Sequence, residues 1–508
     1  MERDGERTTR IGARIGALAL AAIVICSGLI VMMAANRPSF LAATTHVHYF
    51  PSWMAGPLGG LWPGLTRNNT TLKYLFSGAV VLMYVCYLLG LKYVRELSMR
   101  PVVAAVLLVH VILFLAPPMA LTDIFNYVNY ARMEVVHHLN PYATIPILEP
   151  HNDPSFALSN WHHLLSPYGP LFTLISFTVA PFGVAASFWM FKGILMFASL
   201  ATIALVYRCA RLLGRDPAQA IVFVGLNPVV TLWGLGGDHN DFIMVFLIVL
   251  GFYLLLLSRR SKAPASAPAA VQGNGHLPQI DAVITRPSQR PGPLRWLLTL
   301  SPLAVGAGVA FMLAAFVKAS AAILIPVVLA SLGRSPRRLL GAVLGMFAAA
   351  VVLAIVSLIA FGPHLPDLST QGRVVTSVSL PNLLGLALGQ GGETNTMRAL
   401  LFVALAVTVV LCIVEAWRRQ ESLSATGWAT VALVVTLSWV LPWYVLWVLP
   451  LAALSSSRRL RTTALVLGAY LIIAWVPVSS SVFRDIGFNP SKTPLGKQHQ
   501  RTVKQLLN

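Results

Sequence analysis

Charge is what this sequence has least of. Only 11% of its 508 residues are Asp, Glu, Lys or Arg, against a hydrophobic share of 56%. So few charges cannot solvate a soluble globule of that size, which leaves the membrane class. Acids are the scarcer sign, 17 against 37 bases, for a formal net charge of +20. The bases lie in short clusters between apolar runs rather than in a stripe or tail. That is the positive-inside pattern, and it argues against nucleic acid as a partner. Cysteine is also rare. Cys26, Cys86, Cys209 and Cys412 lie in or beside apolar runs, with no CxxC and no His at ligand spacing, so neither a disulfide nor a structural zinc is expected.

Long apolar runs are what the chain does have. Windows of about 17 to 25 such residues can cross a bilayer. They begin near Ile15, Leu72, Pro101, Ala185, Pro217, Asp241, Trp296, Ser320, Leu339, Met397, Leu423, Trp443 and Thr462. The fold class is therefore all-α and polytopic, with about thirteen transmembrane helices. Arg3, Arg7, Arg10 and Arg14 precede the first run, Ile15 to Ala34. That run is longer than a signal-peptide core, so a retained helix with a cytoplasmic N-terminus is expected.

The remaining basic clusters fit one orientation if Leu171 to Val184 does not cross. They are Lys92 with Arg95 and Arg100; Arg208, Arg211 and Arg215; Arg259, Arg260 and Lys262; Arg334, Arg337 and Arg338; Arg418 and Arg419; and Arg458, Arg459 and Arg461. Pro181 and Gly183 break the Leu171–Val184 stretch, which reads as re-entrant or interfacial. The outer face then receives 36–71, 119–184, 236–241 and 362–396. The expected organisation is an N-terminal transmembrane half, 1–258, with its outer loop 119–184. A disordered cytoplasmic linker, 259–295, joins it to a C-terminal half, 296–478, and a basic outer tail, 479–508.

The segment from Asp123 to Leu139 sorts into two faces at helical spacing. Asp123, Asn126, Tyr127, Tyr130, Glu134 and His137 share one. Ile124, Phe125, Val128, Val135, Val136 and Leu139 share the other, with Arg132 among them. Such a helix would lie in the outer interface, its polar face toward water and its apolar face in the acyl boundary. Asp123 then either caps the helix or serves as a general base in a cleft whose wall includes Glu134. The polar knot Gly236-Gly237-Asp238-His239-Asn240-Asp241 has a similar choice. Its acids cap the next helix, or they bind an acceptor hydroxyl or a divalent cation, although the spacing is no metal signature. Lys318 interrupts an apolar run, where a cation either snorkels or pairs. With Arg132 it is the candidate for holding a phosphate.

Several motifs, taken in order, resemble those of the GT-C glycosyltransferases, and most of all the actinobacterial polyprenol-phosphate-mannose-dependent α-1,6-mannosyltransferases. They are Ser52 to Pro63; Asp123 with Tyr127 and the Asn140-Pro141-Tyr142 turn; SPYGPL from Ser166, including Tyr168; and GGDHND from Gly236. Val317-Lys318-Ala319, Pro381 to Gly385 and LPWYVLWVLPLA from Leu441 complete the set. The resemblance implies a GT-C fold in the plasma membrane and a hexose, mannose by likeness, moved from a polyprenyl-phosphate donor. The acceptor would be a glycolipid or polysaccharide hydroxyl at the outer face, with inversion, as part of cell-envelope synthesis. By the same resemblance Asp123 takes the place of the acidic residue in the first large catalytic loop. Arg132 and Lys318 would hold the donor phosphate. Asn126, Tyr127, Tyr130, Glu134, Tyr142, Tyr168, Asp238, His239, Asn240 and Asp241 would bind substrate, and no resident metal is assigned. Glu134, His137 and His138 match nothing in the family pattern.

Two other readings remain at this stage: a lipid-linked oligosaccharide flippase or transporter, and a related transferase of arabinose or another pentose. A transporter places its ionisable groups near the midplane. Here nearly all the acids map to loops, and the two halves show no inverted repeat, which favours an enzyme.

Overall fold

The computed structural model describes residues 2–36, 39, 41, 51–61, 64, 68–119, 122–260 and 300–507. The linker expected over 259–295 lies outside these residues, apart from Arg259 and Arg260, which close a helix. Among the described residues there is no strand. From the N-terminus come α1 (Glu2–Ala35), α2 (Asn69–Tyr93), α3 (Met99–Phe114) and α4 (Asp123–His137). A long loop leads to α5 (Pro170–Val179), and a 3-10 turn to α6 (Val184–Leu212). Then α7 (Pro217–Gly225) bends by 48° into a π-helical segment, Val229–Leu235, before α8 (Asp241–Arg260).

The second half holds α9 (Pro302–Val317), α10 (Leu324–Ser331), α11 (Pro336–Phe361), α12 (Leu380–Ala387) and α13 (Asn395–Arg419). It continues with α14 (Leu423–Thr436), α15 (Leu449–Leu454) and α16 (Arg458–Trp475), and closes with α17 (Pro477–Asp485) and α18 (Pro494–Leu507). Local sequence explains several starts. Asn68 accepts N–H bonds from Thr70 and Thr71 at 2.9 and 3.2 Å to open α2. Asp216 accepts from Gln219 at 2.9 Å to open α7, with Pro217 in the first turn, where a missing N–H costs nothing.

Among the described residues six helices are long and apolar enough to cross a membrane: α1, α2, α6, α8, α11 and α13. The number rises to eight if α7 with its π-helical segment and α16 with α17 each count as one bent span. The other apolar windows among the expected thirteen fold into shorter helices, such as α3, α9, α10 and α14. At 1.5 Å per residue these fall short of a hydrocarbon core of about 30 Å. Membrane residence also shows on the outside of the bundle. Ile359 on α11 is 80% exposed and Phe402 on α13 is 70% exposed, side chains that only lipid would solvate cheaply.

The basic clusters gather at one end. Arg95 reaches Gln219 at 3.1 Å and Asp216 at 3.5 Å, and Arg215 bonds the Ser455 carbonyl. Arg259 donates to the Gln420 carbonyl at 2.9 Å and Arg260 to that of Leu212 at 2.8 Å. α8 carries Asp241 at one end and these two arginines at the other, eighteen and nineteen residues on, about a bilayer core away.

α4 corrects one expectation. It does not lie at an interface with a wetted polar face. Asn126, Tyr127 and Tyr130 are as buried as Ile124, Phe125 and Val128. The following loop folds back over the polar side: Asn160 donates its N–H to Asn126 Oδ1 at 3.0 Å, and Tyr130 donates to the Leu164 carbonyl at 2.6 Å. The helix is a packed wall, not a float.

Candidate active site

Most buried polar groups find partners, and the partners here define one site. Asp123, the first residue of α4, places Oδ2 3.0 Å from Nδ1 of His239. The imidazole is 1% exposed and the carboxylate 20%. The imidazole lies flat on Trp443, with ring centroids 3.4 Å apart and planes 10° from parallel. One turn along α4, the Tyr127 hydroxyl accepts the Asn240 N–H at 3.2 Å, and its ring is boxed edge-on by Tyr168, Phe172 and Phe191. Desolvation therefore fixes α4 against the turn before α8.

Two lysine–aspartate pairs flank that turn. Lys192, in the first half of α6, donates to both Asp238 oxygens at 3.2 Å, and both side chains are buried. Asp238 stands at φ 56°, a left-handed conformation uncommon outside glycine. Lys318 donates to Asp241 at 2.8 and 3.1 Å, and Trp447 Nε1 donates to the same carboxylate at 2.6 Å. The ammonium also lies 5.0 Å from the centre of the Tyr444 ring and 5.2 Å from that of Trp447. With 27% of its side chain exposed, Lys318 is the accessible cation of the cluster, whereas Lys192 is sealed.

Local folding explains these placements. α9 ends at Lys318, whose extended φ of −153° breaks the helix before the 3-10 stretch Ala319–Ile323. The SPYGPL turn docks on that break, where the Gly169 N–H donates to the Val317 carbonyl at 3.2 Å. A Cβ on Gly169 would collide with the carbonyls of Phe316 and Val317, so only glycine permits the approach. The Asn140-Pro141-Tyr142 turn clamps the same loop: the Tyr142 hydroxyl donates to the Tyr168 carbonyl at 2.7 Å, and the Ser166 N–H to that of Pro141 at 2.9 Å. In the GGDHND knot, a side chain on Gly237 would strike the Trp233 carbonyl and the His239 ring.

The structure thus brings together Asp123, Tyr127, Tyr168, Asp238, His239, Asn240, Asp241 and Lys318. Tyr130, Tyr142 and Asn126 support the wall of the site through the bonds given above. Arg132 is elsewhere. It holds Asp153 in a two-pronged pair, Nε at 3.0 Å and Nη2 at 2.9 Å, which His137 joins at 2.8 Å. Arg132 lies nine residues beyond Asp123, on the opposite face of α4, so it does not face a phosphate at Asp123. Glu134 is farther still along α4. The Asp153 carboxyl is pushed up by burial, yet Arg132, Ser155 and His137 together hold it well below the usual range. Neighbouring Glu149 has the opposite balance. Burial pushes it up to about 7 despite the bond from Asn129.

Trp53, within the Ser52–Pro63 motif, packs edge-on to Phe188, and its carbonyl accepts from Trp189. Among the described residues no group of three or more His, Cys, Asp or Glu could hold a metal ion. Asp238 and Asp241 each face a lysine rather than each other. Sequence reasoning missed Lys192, Trp443 and Trp447. Lys192 carried a usable signal, since an ionisable residue deep in a span demands a partner just as Lys318 does.

A family model described as Alpha-(1->6)-mannopyranosyltransferase, N-terminal domain, matches residues 22–334, and one described as MptB C-terminal domain matches residues 372–490. An alpha-(1->6)-mannopyranosyltransferase of Mycobacterium tuberculosis is 27% identical over 396 residues, which are 70% of this chain and 65% of that protein. A probable alpha-(1->6)-mannopyranosyltransferase of Mycolicibacterium smegmatis is 24% identical over 425 residues, 78% of this chain and 72% of that one. Alpha-(1->6)-mannopyranosyltransferase A of Corynebacterium glutamicum matches over a shorter stretch, 28% identical across 29% of this chain and 30% of its own length. The chain thus spans less than two thirds of the first of these relatives. No solved structure matches it.

Proposed function

Because the chain belongs to the alpha-(1->6)-mannopyranosyltransferase family, we propose that it transfers a mannosyl residue from a polyprenyl-phosphate donor to a glycan hydroxyl. The transfer takes place on the outer face of the plasma membrane and inverts the anomeric carbon. The observation that carries this reading is the juxtaposition of a partly exposed carboxylate, Asp123, and a partly exposed cation, Lys318. Both are fixed to one turn, residues 238–241, through His239 and Asp241.

The chemistry follows from the charges. A prenyl phosphate leaves as an anion and needs a cation more than a proton, so Lys318 receives the developing negative charge. On the opposite side of the sugar, Asp123 accepts the proton of the attacking hydroxyl. His239, stacked flat on Trp443, sets Nδ1 3.0 Å from this carboxylate and so places Asp123 beside the 238–241 turn. Buried Nε2 of His239, Nδ2 of Asn240 and Nε1 of Trp443 have no hydrogen-bond partner among the described residues. Sugar hydroxyls would supply partners for them. The outer location is supported by the basic clusters, which collect at the end away from Asp123 and belong on the cytoplasmic side.

The test is transfer from labelled polyprenyl-phosphate mannose to a mannose oligosaccharide by the purified, reconstituted full chain. Asp123→Asn is expected to cut the rate by about 10²–10⁴. Equal rates for the two proteins would remove the base assignment. Lipid translocation without transfer by the native chain would overturn the transferase reading altogether.

A further inference from the structure

The chain continues past α16. After α16 the backbone turns by 72° and continues as α17. Every residue of α17 is at least partly exposed, with Val482 at 48%, and Ile486 just past its end stands at 71%. Such a segment runs along the level at which a span leaves the hydrocarbon. The chain then turns into α18, which docks by one side only. Leu506 packs with Leu164 and Val374, and its carbonyl accepts the His163 N–H at 3.1 Å. His163 follows closely on Asn160, which bonds Asn126 of α4, so α18 lies at the candidate-site end.

The other side of α18 is cationic. Lys497, Arg501 and Lys504 recur at helical spacing along one exposed face, Lys492 precedes them, and no acid follows Asp485. Among the described residues none of these four makes an ion pair with the protein. The placement runs against the general bias, because the other basic clusters gather at the opposite end. Cations at the disfavoured end of a membrane protein call for an anionic partner, and at this level in the bilayer the abundant anions are phosphates of lipid headgroups.

We propose that α17 and α18 form a docking surface for anionic phospholipid headgroups in the leaflet beside the candidate site. Val482 and Ile486 enter the acyl boundary, and Lys497, Arg501 and Lys504 receive the phosphates. The surface does not depend on the transferase reading.

The test uses the full chain in phosphatidylcholine nanodiscs with trace spin-labelled phosphatidylglycerol or spin-labelled phosphatidylcholine, read as the fraction of label held motionally by the protein. Native protein should select the anionic probe over the neutral one. Lys497→Gln/Arg501→Gln/Lys504→Gln should lower that selectivity by about fivefold or more, the effect of one such charge or greater. All three positions are exposed, so folding is retained, and a matched circular-dichroism melt checks it. Arg418→Gln/Arg419→Gln at the other end is the control for general basicity and should leave the tail-dependent part intact. Unchanged selectivity in the triple variant would overturn the proposal. So would displacement of the labelled lipid by inorganic phosphate at constant ionic strength, because the surface would then take a free anion.

Discussion

Lys192 is the most exacting residue in the fold, because a fully buried ammonium survives only with its counter-charge. Losing one partner of such a pair typically costs about 3–5 kcal/mol, whereas replacing both by neutral groups can cost little. Lys192→Met should therefore abolish transfer and lower the melting temperature in detergent. Lys192→Met/Asp238→Asn should recover most of the stability and much of the activity if the pair acts only to hold the turn carrying His239. A double variant that melts like the native protein but stays inactive would show that the charge itself acts on substrate. At this scale the sequence was legible where a polar residue broke an apolar pattern, as at Lys318 and the 236–241 knot. It marked the motif from Leu441 but gave Trp443, Tyr444 and Trp447 no role, since aromatics in an apolar run look the same whether they face lipid or a carboxylate. Arg132 misled for a related reason: its partner Asp153 lies in a loop without periodicity.

At the scale of elements, the loop between α4 and α5 holds the site together. Gly169→Ala would force the SPYGPL turn off the end of α9 and shift Lys318. The expected result is a loss of transfer of ten-fold or more, on the order of that caused by misplacing a catalytic group by about an ångström, with helix content by circular dichroism unchanged. Glu149 makes the same loop sensitive to pH. Its folded-state carboxyl is raised from 4.5 to about 7 by burial, so the folded state holds the proton more tightly than the unfolded one. Stability should fall as pH rises from the ordinary carboxylate range to about 7 and be level above it. Asp153, held low, contributes stability that is lost only in acid. Limited proteolysis of the 146–158 loop between pH 5 and 8 checks this, and Glu149→Gln should flatten the profile. α4 itself was legible as a helix from its spacing. Its burial was not, because the covering loop is held by scattered contacts from Asn160, Leu164 and Ser155 that no local pattern announces.

For the whole molecule, composition alone gave the membrane class and the helical fold, since charge scarcity and long apolar runs are global properties. The number of crossings was less legible. Apolar windows broken by Pro, Gly or Lys318 look like spans in sequence, yet they fold into helices too short to cross unaided. Topology is directly testable with single cysteines in a chain stripped of its own four. An impermeant maleimide added to intact cells should label Ser369→Cys, in the 362–379 loop, and Lys497→Cys on α18, but not Arg260→Cys until the membrane is opened. Labelling of Arg260→Cys from outside would invert the arrangement.

The groups that meet around the 238–241 turn come from α4, α6, the end of α9 and the segment before α15, positions scattered from Asp123 to Trp447. A ribosome has to deliver most of the chain before the last of them arrives. Until then the nascent protein carries Lys192, Asp238 and Asp241 through the insertion machinery without their full set of neighbours. The candidate site is thus complete only once Trp447 has been made, late in the synthesis of the chain.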